Sequence, residues 1–160
     1  MSDQQSNFRF SSEYQLRHTD SFAGTPFVHG GVLLALTEIA LADYDKEVGL
    51  PVQEEILRIQ SGSQIRYRAP IRWDDKAKVS LKCISAINGR LIFEALIEST
   101  LHHHVIANFT HRYVYLNTQT GQPQLPEQWQ KILELIQNYE YAFSTEESED
   151  LSLIHISEPT

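Results

Sequence analysis

The stretch Phe27-Val-His-Gly-Gly-Val-Leu-Leu-Ala-Leu-Thr-Glu-Ile-Ala-Leu-Ala42 decides how the rest of the chain must be arranged. A histidine and two glycines open it, a nearly unbroken apolar run follows, and one acid, Glu38, stands in the middle. At 3.6 residues per turn this run predicts a helix with apolar side chains on every face, which other structure must wrap to keep them from water. Gly49-Leu-Pro51 ends it, because glycine suits a left-handed cap and proline cannot continue the ladder. Glu38 has only Leu34, Ala35, Leu41 and Ala42 one turn away on its own face, and none can pair with a charge. Two readings stand: a carboxylate placed for chemistry, or a side chain in a narrow solvent-facing gap between packed elements.

Outward from the helix the pattern changes. Before it, residues 8–18 alternate as a strand through Phe8, Phe10, Tyr14 and Leu16, and residues 21–26 form a loop with Gly24 and Pro26. After it, residues 56–67 read as a strand interrupted by Ser61-Gly-Ser63, a bulge or a bend. Arg72-Trp-Asp-Asp75 is a turn, and the strand through Val79, Leu81 and Cys83 joins the strand 91–98 through Asn88-Gly89, a strong hairpin signal. A third long strand is expected over 101–117. Pro126 then opens a terminal amphipathic helix carrying Ile132, Leu133, Leu135 and Ile136. One buried helix followed by several antiparallel strands is an α+β pattern in which the sheet curls around the helix. The expected division is a leader 1–7, one domain over 8–140, and a tail 141–160 that is disordered or non-native.

The 160 residues suffice for one domain with a proper core, and 41% hydrophobic against 21% charged residues is a globular composition. The formal charge of −8 argues against nonspecific nucleic-acid binding. Cys83 is the only cysteine, so there is no intrachain disulfide. No secretory pattern opens the chain and no apolar run reaches the length of a membrane span, so a cytoplasmic setting is expected.

The residue types permit a specific chemistry. Gly30 and Gly31 expose backbone N–H groups at a helix N-terminus, where the dipole adds about half a positive charge; such a site polarises a carbonyl oxygen. A carboxylate further along the helix is a nucleophile or general base for that carbonyl. Asp20 is a second candidate acid, its other reading being a hydrogen bond within its own turn. His29 either contacts substrate or only enters the helix. Arg58, Arg66, Arg68 and Arg72 form the one basic concentration, suited either to phosphates or to a solvated strand face. His102-His-His104 would place two imidazoles on one strand face, but companion metal ligands are not identifiable, so an exposed strand is expected and no metal.

His29-Gly30-Gly31 followed by Leu36-Thr37-Glu38 resembles the His-Gly-Gly signature of hotdog-fold acyl-CoA thioesterases, and the layout from Arg17-His-Thr-Asp-Ser-Phe-Ala-Gly24 to Leu125-Pro126 is similar to the 4-hydroxybenzoyl-CoA thioesterase-like superfamily. The resemblance implies a curled antiparallel sheet around one long central helix, a homodimer or dimer of dimers formed by sheet pairing, and active sites shared between copies. It implies hydrolysis of an acyl-CoA without a cofactor, with Glu38 or Asp20 as the acid; the residue chemistry above adds His29 as an assisting group and Gly30, Gly31, Arg66 and Arg68 as substrate contacts. The same fold also serves acyl-ACP thioesterases, enoyl-CoA hydratases and dehydratases, and non-catalytic acyl-CoA binding is a further alternative. In the branch with the acid on the helix an amide side chain usually stands six residues before the histidine; here that residue is Ala23.

Overall fold

The computed structural model describes residues 10–49, 55–125, 130, 131 and 134. The expected leader, Phe8, Pro51 and the tail 141–160 lie outside the described residues, as does the expected terminal helix apart from helical Gln130, Lys131 and Glu134. The elements are β1 (Phe10–Gln15), a short 3-10 turn (His18–Asp20), α1 (Gly30–Val48), β2 (Ile56–Tyr67), β3 (Lys76–Ile87), β4 (Arg90–Ser99) and β5 (Val105–Asn117). The five strands make one antiparallel sheet in the order β1-β3-β4-β5-β2. This is the expected α+β arrangement of one long helix against a curled sheet. No described helix is long and apolar enough to cross a membrane.

The helix ends as its residues dictate. Gly49 takes the left-handed conformation, φ 77° and ψ 26°, and its N–H bonds to the Asp45 carbonyl. Leu33, Leu36, Thr37, Ala40, Leu41 and Tyr44 are buried, a spacing of three and four that marks a single face. Gly31, Ala35, Glu38, Ile39 and Ala42 are exposed. This corrects the expectation of a helix wrapped on all sides: the sheet covers one face, and the opposite, still apolar, face is open, with Ile39 50% exposed. Burial against the sheet rests on edge-to-face rings, Phe10 on Tyr44, Tyr44 on Phe93 and Phe93 on Tyr113, with centroids 5.5, 5.3 and 6.0 Å apart.

Two local signals in the strands act as expected. Asn88 and Gly89 both have positive φ, 54° and 76°, the conformation that a two-residue turn between β3 and β4 requires. The Ser61-Gly-Ser63 interruption is a bulge: the register with β5 shifts between Gln60 and Gly62. Before it Gln60 opposes Tyr113, and after it Ser63 opposes His111. Strand alternation alone would put Gln60 and Ser63 on opposite faces; the extra residue brings both to the face that looks at α1.

One expectation about the strands is corrected. β5 begins at Val105, not at 101, so His102, His103 and His104 lie in the exposed turn after β4, where His103 has φ 57°. The His102 and His104 rings stack 6.0 Å apart, but they do not share a strand face. The turn is organised by Asp75, a buried carboxylate 4% exposed, which accepts bonds from the Lys76 and Leu101 N–H groups at 2.7 and 3.1 Å and from the Ser99 hydroxyl. Short polar residues thus bind the turn before β3 to the turn after β4.

Candidate active site

Glu38 finds its partners on the sheet, not on its own helix. Its Oε1 accepts the Tyr113 hydroxyl at 2.8 Å, from β5, and the Gln60 amide N–H at 3.3 Å, from β2. Oε2 has no hydrogen bond among the described residues, and Glu38 as a residue is exposed on α1. Tyr113 is held in its phenol form: burial pushes its pKa up, and donation to Glu38 raises it further. Arg58 lies over the Tyr113 ring, 5.5 Å from its centroid.

Beneath this pair sits His111, 1% exposed. The Thr37 hydroxyl donates to the Leu34 carbonyl at 2.6 Å, so its single proton is committed, and the 2.9 Å bond to His111 Nε2 must be donated by the imidazole. Nδ1 is then the acceptor, taking the Gln60 amide and the Ser63 hydroxyl, each at 3.0 Å. Burial lowers the His111 pKa from its ordinary 6.5, and the nearby Glu38 charge only partly opposes this, so the ring is neutral at neutral pH. The Gln60 amide spends one N–H on Glu38 and one on His111, and so joins an exposed carboxylate to a buried ring.

The helix entrance is a separate assembly. A cleft of about 460 Å³ is lined by Val28, Gly30, Leu33, Tyr67, Arg68 and Ile71, among others. The Tyr67 hydroxyl occupies the space that a Cβ on Gly30 would need, so glycine here permits a close approach. His29 is the N-cap residue but makes no side-chain cap bond; its ring lies against Phe22, with centroids 5.2 Å apart, and beside Gly31. Asp20 is buried, and its Oδ2 accepts the Arg17 N–H at 2.8 Å while Oδ1 lies 3.7 Å from the Arg17 guanidinium. That is the turn-side reading of Asp20. No hydrogen bond or ion pair joins Asp20 or His29 to Glu38 among the described residues.

The basic group divides. Arg58 makes a bidentate ion pair with Asp45, which overcomes the cost of burial and raises its pKa. Arg72 pairs with Asp74 at 3.2 Å. Arg68 flanks the cleft, with Nε bonded to the Asn108 side chain at 3.2 Å. Arg66 is exposed, and it alternates with Tyr67 onto the sheet face turned away from α1. Among the described residues no three His, Cys, Asp or Glu side chains gather as a metal site.

A carboxylate with one oxygen anchored and the other open is arranged to act as base or nucleophile, and a helix N-terminus beside a cleft is arranged to receive a carbonyl oxygen. Within one copy a seven-residue step of helix, about 10 Å at 1.5 Å per residue, separates Gly31 from Glu38. Sequence reasoning missed Gln60, Ser63, His111 and Tyr113. A signal for two of them was present: His111 and Tyr113 share the alternation of Ala107, Phe109 and Tyr115, the inward face of β5.

The sequence matches no family model, and it matches no curated protein. Its likenesses are structural. A 1,4-dihydroxy-2-naphthoyl-CoA thioesterase from Synechocystis superposes with a TM-score of 0.70 at 19% identity, over 77% of this chain and 93% of that one. A thioesterase from Thermus thermophilus, solved with coenzyme A and zinc, gives 0.69 at 18% identity, over 82% and 97%. The 12:0-ACP thioesterase from Umbellularia californica gives 0.71 at 12% identity, over 79% and 53%. With a long central helix against a curled antiparallel sheet, and with these neighbours, the chain has the hotdog fold.

Proposed function

We propose that the protein is an acyl-CoA thioesterase, hydrolysing an acyl-CoA to the free acid and coenzyme A. The observation that carries this reading is Glu38 itself, a carboxylate on the open face of α1 with Oε1 held by two donors and Oε2 left for chemistry. The thioester carbonyl oxygen lies at the Gly30-Gly31 helix entrance, where N–H groups and the dipole take up the developing negative charge. Glu38 removes a proton from water, the water oxygen attacks the carbonyl carbon, the C–S bond breaks and the thiolate leaves. Direct attack by Glu38, followed by hydrolysis of the anhydride, reaches the same products.

The roughly 10 Å along one helix argues that the entrance of one copy works with Glu38 of another. The apolar open stripe of α1 and the exposed Ile65 and Tyr67 of edge strand β2 supply a surface for that pairing. A cytoplasmic homodimer or dimer of dimers follows from this reading. Arg68 at the cleft suits the phosphates of coenzyme A, and Arg66 is placed as a more distant contact. Asp20 remains the second candidate acid and His29 a supporting one, both near the helix entrance.

Thiol release from hexanoyl-CoA, palmitoyl-CoA and benzoyl-CoA tests the reading. Glu38→Gln is expected to lower kcat by about 10²- to 10⁴-fold, the range of general base catalysis. Loss in Asp20→Asn alone transfers the role to Asp20. Unchanged rates in both variants, or no release from any of the three substrates, overturn the proposal.

A further inference from the structure

The polar groups beneath Glu38 are more than a packing solution. A buried histidine, a threonine, a serine, a glutamine and a tyrosine from three different elements converge on one face of the sheet, and every hydrogen bond among them has a defined direction. The direction starts at the backbone. Leu34 takes the Thr37 proton, which obliges His111 to donate from Nε2, which leaves Nδ1 to accept from Gln60. An amide that donates to His111 through its nitrogen presents its second N–H, and not its oxygen, to Glu38. A flipped Gln60 would set its carbonyl oxygen against both Nδ1 and the carboxylate, repelling each.

We infer that Gln60, Tyr113 and His111 are positioning residues for Glu38: His111, fixed as the Nε2–H tautomer, orients the Gln60 amide, and Gln60 and Tyr113 together anchor Oε1 so that Oε2 alone faces the substrate. The inference rests on the reading of Glu38 as the acid. The sheet bulge is part of the device, because it alone places both Gln60 and Ser63 on the helix side of β2, where they saturate Nδ1. Glu38 lies on an exposed helix face and its side chain would otherwise sample several rotamers; two donors on one oxygen remove that freedom.

The test uses the full-length protein and whichever of hexanoyl-CoA, palmitoyl-CoA and benzoyl-CoA it hydrolyses fastest. Tyr113→Phe, which deletes one hydroxyl, and Gln60→Ala are each expected to lower kcat about 10- to 100-fold, with KM changed less than about 2-fold, since what is lost is alignment and not binding. Combined with Glu38→Gln, neither should lower the rate further, because each acts through the carboxylate; losses that multiply point to general destabilisation and overturn the inference. Nitrogen-15 spectra of the imidazoles should show His111 as the Nε2–H tautomer at neutral pH, and an Nδ1–H tautomer overturns the proposed orientation of Gln60. An inactive Glu38→Gln beside fully active Tyr113→Phe and Gln60→Ala sinks the positioning role alone. A fully active Glu38→Gln removes the acid assignment and the positioning role with it.

Discussion

Glu38 and Gly30 lie on the same helix and carry opposite kinds of constraint. The acid is exposed yet anchored at one oxygen, whereas the glycine is constrained by a neighbour, the Tyr67 hydroxyl resting against its Cα. Tyr67 is 56% exposed and can swing outward, so a methyl group at position 30 costs the fold little and even gains from the better helix propensity of alanine. Gly30→Ala is therefore expected to keep or raise stability, by up to about 1 kcal/mol in urea unfolding. Thiol release should still fall, because the methyl group holds a carbonyl off the helix N–H groups. A stability loss above about 2 kcal/mol would show that Tyr67 is rigidly packed instead. Tyr14 is a purely structural counterpart: its hydroxyl ties β1 to α1 through Asp43 at 2.6 Å, and burial together with that bond pushes its pKa up to about 12.

Among the elements, the strands owe their arrangement to a few local irregularities. The bulge in β2 resets which side chains face α1 and so creates the polar cluster. Asp75 does comparable work for the two turns that flank β3 and β4. Asp75→Ala leaves the Ser99 hydroxyl and two backbone N–H groups without their acceptor, and the expected loss is about 2–4 kcal/mol in urea unfolding. Asp75→Asn, which keeps an acceptor oxygen, should lose less. The hairpin turn predicts a smaller effect: Gly89 has φ 76°, so Gly89→Ala is expected to cost about 1–2 kcal/mol without altering the rate of thiol release per folded molecule.

For the whole molecule, two expectations follow. The open stripe on α1 predicts association of copies, and Ile39→Glu is expected to yield monomers in light scattering and to abolish thiol release, because each proposed site draws on two copies. Retained activity in a monomer would confine the site to one chain. The second concerns pH. His111 is depressed below 6.5 by burial, while the unfolded chain protonates near that value, so in the window just below 6.5 the unfolded state binds more protons. Its contribution to stability is complete above that pH and is lost on acidification, at up to about 1.4 kcal/mol per pH unit within the window. The groups facing the ring are Thr37 and Glu38 from α1, Phe109 and Tyr113 from β5, and Gln60 and Ser63 from β2, and of these only the Glu38 charge works against the depression. Urea midpoints at pH 7.5 and 5.5 should differ more for the natural protein than for His111→Gln; equal differences would show that His111 does not set the slope.

Much of this architecture was legible in the residues alone, because it depends on short-range rules. A glycine cap, an Asn-Gly turn, period-two strands and a helix whose first three turns are apolar but for Glu38 are decided within a few residues of themselves, and together they limit the fold to a sheet curled on a helix. The readings that failed or stayed incomplete depended on distance. Helix periodicity could not tell an apolar face that meets the sheet from one left open for another surface. Nor could it name partners for Glu38, since Gln60 is 22 residues away and Tyr113 is 75, brought close only by the pairing of β2 with β5. The three histidines in a row drew the eye, yet they stand in an exposed turn, while a single histidine ten or fewer residues later is buried and fully hydrogen-bonded. Local chemistry settles where a chain bends and which side of an element is apolar; only tertiary packing decides which polar groups meet, because that is set by register across a sheet and not by separation along the chain.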